Sequence, residues 1–145
     1  MAFRGQHEHS LDSKDRLTVP RKFRDALADG YVLAKGPDAC LWLYATKDFD
    51  AMSDKYIAPH SPFGSDARNL RRMLNASADE GDVDSAGRIR VPEPLKSMAG
   101  LDGACTVVGA GEYIEIWDTE AWNKINEELL GQFAEVAENL AGAGE

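Results

Sequence analysis

The chain has 145 residues, 43% of them hydrophobic, and a formal net charge of −9 from 25 acidic and 16 basic side chains. That suffices for one ordinary domain core or two small intertwined halves, and no stretch approaches the ~20 apolar residues of a membrane span. Net acidity counts against a nucleic-acid partner until its distribution is read: residues 1–35 carry seven basic and five acidic side chains, residues 76–145 four basic and fifteen acidic. The first half can therefore present a basic face although the whole chain repels phosphate.

Met1-Ala-Phe-Arg-Gly5 lacks the apolar h-region of a signal peptide, so a cytoplasmic location is expected. The next segment, Leu11-Asp-Ser-Lys-Asp-Arg-Leu-Thr-Val-Pro20, returns as Val83-Asp-Ser-Ala-Gly-Arg-Ile-Arg-Val-Pro92. One residue later in register, Ala39-Cys-Leu-Trp-Leu-Tyr44 matches Glu112-Tyr-Ile-Glu-Ile-Trp117, and Phe49 falls opposite Trp122. Two copies are too few for a solenoid and fit a pseudo-twofold arrangement.

Each copy reads as strand, turn, strand, short helix and two further strands, an α+β, mainly β class. Period-two alternation turns Leu17, Val19, Ile89 and Val91 inward and Arg16, Thr18, Arg88 and Arg90 outward. Pro20 and Pro92 open short helices with Phe23/Leu27 and Leu95/Ala99 as their apolar stripes. Leu41, Leu43, Ile114 and Ile116 mark half-buried strands, and Thr46 and Asp118 stand where helix caps are wanted. A helix over about 47–57 runs into the Pro/Gly-rich Ala58-Pro-His-Ser-Pro-Phe-Gly64. Another, over about 66–75, is expected to turn Leu70, Met73 and Leu74 inward and Arg68, Arg71 and Arg72 outward.

Trp122, Ile125, Leu129, Phe133, Val136 and Leu140 form one apolar seam on a longer, acidic last helix. Beyond Leu130 that seam packs either on its own domain or on a neighbouring subunit, and 141–145 reads as a frayed tail. The divisions are thus a first unit over 3–57, a connecting segment with a short helix over 58–75, a second unit over 76–122, and a C-terminal helix and tail over 123–145.

Cys40 and Cys105 read as small buried hydrophobes, and three scattered histidines give no ligand set at metal-site spacing, so no metal or cofactor is expected. An enzyme is not expected either. There is no Gly-x-Ser-x-Gly and no P-loop, and Gly109-Ala-Gly111 precedes a strand instead of a helix.

The duplicated Asp-x-x-x-Arg suits a tight hairpin connection in which Gly87 supplies, and Asp15 tolerates, a positive φ. Read singly, such a pair is an ion pair that closes its turn and contributes little. Its company points elsewhere: Lys14 stands beside Arg16 and Arg90 beside Arg88, and an arginine fork bonds guanine edges or phosphates while a two-stranded ribbon fits the major groove. Both readings stand at this point.

Phe3-Arg-Gly5, the paired turns each followed by an apolar-x-Val-Pro, the Leu-Trp-Leu-Tyr strand and Ile114-Glu-Ile-Trp-Asp118 resemble the MraZ family, bacterial transcriptional regulators with two AbrB-like (SpoVT-AbrB) domains in one chain. The resemblance runs from Phe3 to about Trp122. It implies two swapped-hairpin β-barrel units, a homo-oligomeric ring, and binding of double-stranded DNA at short direct repeats upstream of the division and cell wall gene cluster, the protein's own promoter included. Repression and a nucleoid-associated place in the cytoplasm follow from it, with no membrane partner. It assigns DNA contact to Arg16, with Lys14 as helper and Arg88, Arg90 and Arg21 as further contacts; Asp12, Asp84 and Gly87 support the motif. The family usually has Lys-Gly-Arg where this chain has Lys14-Asp15-Arg16, and the extra acid is expected to weaken phosphate attraction or draw Arg16 into a local pair. The alternative is an antitoxin-like AbrB protein that binds a protein partner, its Asp-x-x-x-Arg turns being structural only.

Overall fold

The computed structural model describes residues 2–143. Its strands are β1 (Gln6–Ser10), β2 (Arg16–Thr18), β3 (Tyr31–Lys35), β4 (Leu41–Ala45), β5 (Asp79–Gly81), β6 (Arg88–Arg90), β7 (Ala104–Gly109) and β8 (Ile114–Asp118). The helices are α1 (Thr46–Tyr56), α2 (Ser65–Asn75), α3 (Glu93–Met98), α4 (Thr119–Gly131) and α5 (Phe133–Ala143). The class is α+β with an antiparallel β core, although helices hold more residues than strands.

Six strands form one sheet in the order β1-β7-β8-β4-β3-β5, and β2 pairs with β6 in a separate ribbon. The pairing exchanges strands between the repeat copies. First-copy β1 lies on second-copy β7, and second-copy β5 lies on first-copy β3. At the centre the repeat mates β4 and β8 pair with each other, as do β2 and β6, which defines the pseudo-twofold. The expected hairpin is thereby corrected: the turn after β1 closes locally, but the strands it joins diverge to different sheets.

The alternation read from the sequence holds. Leu17, Val19, Ile89 and Val91 of the ribbon face Leu33, Leu41, Leu43, Cys105, Val107, Ile114 and Ile116 of the sheet in one core, all buried. Each such side chain stabilises by roughly 1.5–3 kcal/mol on leaving water. Phe23, Leu27, Leu95, Ala99 and Leu101 close its ends. In the first copy the expected short helix is a pair of 3-10 turns over 21–23 and 25–27, whereas the second copy forms α3. Cys40 and Cys105 are buried free thiols, both pushed up by burial, Cys105 to about 11.

On the sheet's other face, α1 packs Phe49 against Val32, Ala34 and Tyr44, and its repeat mate α4 sets Trp122 against Trp117. Asp118 caps α4 by accepting from the Ala121 amide at 3.1 Å, as expected. Thr46 does not cap α1. The strand before it runs through Ala45, which becomes the cap position and is itself the repeat mate of Asp118.

Of the α2 residues expected inward only Leu74 is buried; Leu70 and Met73 are exposed beside a groove of about 440 Å³ lined by Trp42, Tyr44, Met52 and Tyr113. Arg68 and Arg71 donate to the Phe63 and His60 carbonyls and so tie the 57–64 joint to α2. The long last helix is divided at Gln132 into α4 and α5, and Ala141–Ala143 belongs to α5 instead of fraying. Gly144 and Glu145, the rest of that expected tail, lie outside the described residues. Among the described residues nothing covers the seam beyond Leu130: Leu130, Phe133 and Leu140 are 65%, 71% and 72% exposed. No helix among the described residues is long and apolar enough to cross a membrane.

The exchanged first strand is held by close backbone approach. Gly109 donates to the Gly5 carbonyl at 2.8 Å, and a Cβ on Gly109 would lie 2.4 Å from the Arg4 amide nitrogen. Gly109→Ala is therefore expected to destabilise the fold by about 1–3 kcal/mol, the usual cost of overpacking, measured by urea unfolding. A midpoint equal to wild type would mean that this strand is not locked there.

Candidate nucleic-acid interface

Both Asp-x-x-x-Arg turns are built in the same way. Asp12 Oδ1 accepts from the amides of Lys14 and Arg16, both at 2.9 Å, and Oδ2 accepts from Arg16 Nε at 2.8 Å. Asp84 Oδ1 accepts from the amides of Ala86 and Arg88, at 3.0 and 2.8 Å, and Oδ2 from Arg88 Nε at 2.9 Å. The aspartate spacing thus serves the backbone: one oxygen closes the turn and the other holds the arginine by its Nε edge. Among the described residues the Nη nitrogens of Arg16 make no hydrogen bond.

Three residues into each turn the chain takes a positive φ, +57° at Asp15 and +79° at Gly87. Asp15 is the single non-glycine with positive φ among the described residues, and aspartate is one of the few residues that bear it at modest cost. The carbonyl of each tip crosses to the other copy: Asp15 accepts from the Val91 amide and Gly87 from the Val19 amide, both at 2.8 Å.

These bonds fuse two turns into one face. Antiparallel pairing sets Arg16 opposite Arg90 and Thr18 opposite Arg88, with Leu17 and Ile89 beneath in the core. Arg88 Nη1 reaches to 3.9 Å from Asp12 Oδ2, so one carboxylate faces an arginine from each copy. Arg90 and Lys14 are exposed, and Arg21 is exposed at the first 3-10 turn just after β2. Gly87 is buried.

Two cations were missed from the sequence. Arg24 lies over Gly87, where a Cβ would come within 2.2 Å of its Cζ, and donates from Nε to the Val19 carbonyl at 2.9 Å. Lys96 Nζ lies 3.1 Å from Asp15 Oδ1. Their common position, four residues after Pro20 and Pro92, was the available signal. Asp15 therefore pairs with Lys96, while Arg16 pairs with Asp12. No cluster of three or more His, Cys, Asp or Glu suited to a metal occurs among the described residues.

A duplicated, strand-exchanged α+β unit with a cationic ribbon on its pseudo-twofold is the architecture of a two-copy AbrB-like regulator. The family model described as "MraZ protein, putative antitoxin-like" matches residues 2–73 and again 74–143. The chain is 38% identical over 139 residues, 95% of its length and 96% of the relative's, to a protein of Heliobacterium modesticaldum named "Transcriptional regulator MraZ". The chain belongs to the MraZ family, and its class is that of a transcriptional regulator.

The amides of Arg16 and Arg88 hold Asp12 and Asp84 below the usual carboxylate range, with their guanidinium groups adding to the effect. A carboxylate depressed in the folded state lends stability that is fully present above its unfolded pKa of about 4 and is lost as pH falls through the folded value. Melting temperature is thus expected to drop on acidification below about pH 4, and less steeply in Asp12→Asn/Asp84→Asn. Equal acid slopes in both proteins would contradict the turn geometry.

Proposed function

We propose that the chain is a sequence-specific DNA-binding regulator, a repressor acting at short direct repeats upstream of the division and cell wall gene cluster and of its own reading frame, in the cytoplasm at the nucleoid. The observation that carries this reading is the β2–β6 ribbon, where Arg16 stands opposite Arg90 and Arg88 lies within reach of the same Asp12 carboxylate. A two-stranded ribbon fits the major groove, and an arginine held only by Nε keeps its Nη edge for a base or phosphate. In this reading Arg16 is the principal contact, Lys14 its helper, Arg88, Arg90 and Arg21 flank it, and Asp12, Asp84 and Gly87 hold the frame. The unit divisions 3–57, 58–75, 76–122 and 123–145 are kept as a description of the repeat's sequence, although the strands themselves are exchanged.

The active form in this reading is a homo-oligomeric ring. The apolar groove lies on the first-half side, between α1, α2 and the sheet, and is bordered by the basic helix α2; the exposed seam lies on acidic α4 and α5. Unlike surfaces joined head to tail close into rings when the rotation between subunits closes. Repeated weak contacts to repeated DNA sites then offset the net charge of −9. Phe133→Asp is expected to lower the mass seen by light scattering with the fold retained; an unchanged mass would separate α5 from assembly.

The antitoxin-like alternative predicts a C-terminal segment that orders only on a protein partner, whereas residues 119–143 are helical save Gln132. Mobility shifts on the upstream region with unrelated competitor DNA separate the two. Wild type is expected to bind specifically with an affinity that falls steeply with salt, and Arg16→Ala to lose at least about tenfold with melting temperature unchanged. Specific binding by Arg16→Ala at wild-type strength would overturn the assignment.

A further inference from the structure

The two turn tips are repeat mates but are electrically unequal. At Gly87 the tip has no side chain, and Arg24 of the other copy lies directly over it. At Asp15 the tip carries a carboxylate between Lys14 and Arg16, one residue from a side chain whose proposed partner is anionic. The cation from the other copy answers that difference: Lys96 Nζ lies 3.1 Å from Asp15 Oδ1 and 3.4 Å from Glu93 Oε2. Its hydrogen bond to the Asp15 carboxylate holds the Lys96 ammonium's pKa above its ordinary range, so it stays charged throughout neutral pH.

The local sum makes the consequence plain. Asp12, Lys14, Asp15 and Arg16 cancel, and the first turn is cationic only with Lys96 added. We propose that Lys96 is the charge mask of the first turn: by pairing with Asp15 across the pseudo-twofold, it lets an acidic tip approach DNA phosphates and keeps Asp15 from competing with Asp12 for Arg16. Arg24 and Lys96 then do one job in two ways, the arginine occupying space a glycine leaves and the lysine neutralising charge an aspartate brings. Lys96 is a positioning residue that acts through Asp15 and does not touch DNA. This inference rests on the DNA-binding reading.

The test is a double-mutant cycle on the upstream DNA with Lys96→Gln and Asp15→Asn, since asparagine also tolerates positive φ and removes only the charge. Lys96→Gln is expected to weaken binding about fivefold per engaged subunit, the size of one close like-charge contact in water. In the Asp15→Asn background the same change is expected to have almost no effect, and Lys96→Arg to retain wild-type binding. An equal loss in both backgrounds would overturn the mask and make Lys96 a direct phosphate contact; Lys96→Gln binding like wild type would overturn the mask and leave Lys96 no part in binding. Melting temperatures of all variants separate charge from folding, and a wild type without specific binding would reject the DNA reading before any variant is compared.

Discussion

Two three-residue strands, one from each repeat copy, hold each other at the centre of this molecule, and neither half can finish its core without the other's. Leu17 and Ile89 meet across the ribbon and seal the side of the core that the six-stranded sheet leaves open. The same pairing brings Arg16 to Arg90 and sets the tips of the turns on the opposite copy through the Asp15–Val91 and Gly87–Val19 bonds. On the proposed DNA-binding reading, folding and recognition thus share one element. A strand whose inner face is core and whose ends are tied to two tight turns has little freedom to slip, which is what a pre-organised contact surface requires.

The electrostatics are organised around that ribbon. Carboxylates appear in it only where cations answer them: Asp12 with Arg16 and Arg88, Asp84 with Arg88, Asp15 with Lys96. Of the other acidic side chains, Glu120, Glu127, Glu128, Glu135 and Glu138 lie on α4 and α5, which also carry the exposed apolar seam. A uniformly acidic surface would repel nucleic acid; on the proposed reading the ribbon supplies a local cationic patch, and several subunits acting together offset the net charge.

Much of this was legible in the residues. The repeat gave the pseudo-twofold, and alternation gave the inward and outward sides of both ribbon strands correctly. Strand exchange came only with the family resemblance, as swapped hairpins, because an alternating strand states which face it buries but not whose edge it joins. Leu70 and Met73 were misread since an apolar position at helical spacing is silent on whether anything covers it. The continuous 3.6-residue seam from Trp122 to Leu140 hid the break at Gln132. In the first half α2 packs back on β3 after the joint 57–64; α5 follows α4 after the single residue Gln132 and buries none of its described side chains. At the site, the Asp–Arg pair within each turn was readable from spacing, but the aspartate-to-backbone bonds were not, and the arrival of Arg24 and Lys96 depended on tertiary placement.

Hydrogen exchange with and without upstream DNA tests most directly whether the two turns act as one face. The account predicts that amides at 12–18 and 84–90 gain protection together, at the same DNA concentration, while those of α2 and α5 gain none from the DNA itself. Protection confined to one turn, or centred on the helices with both turns unchanged, would contradict it.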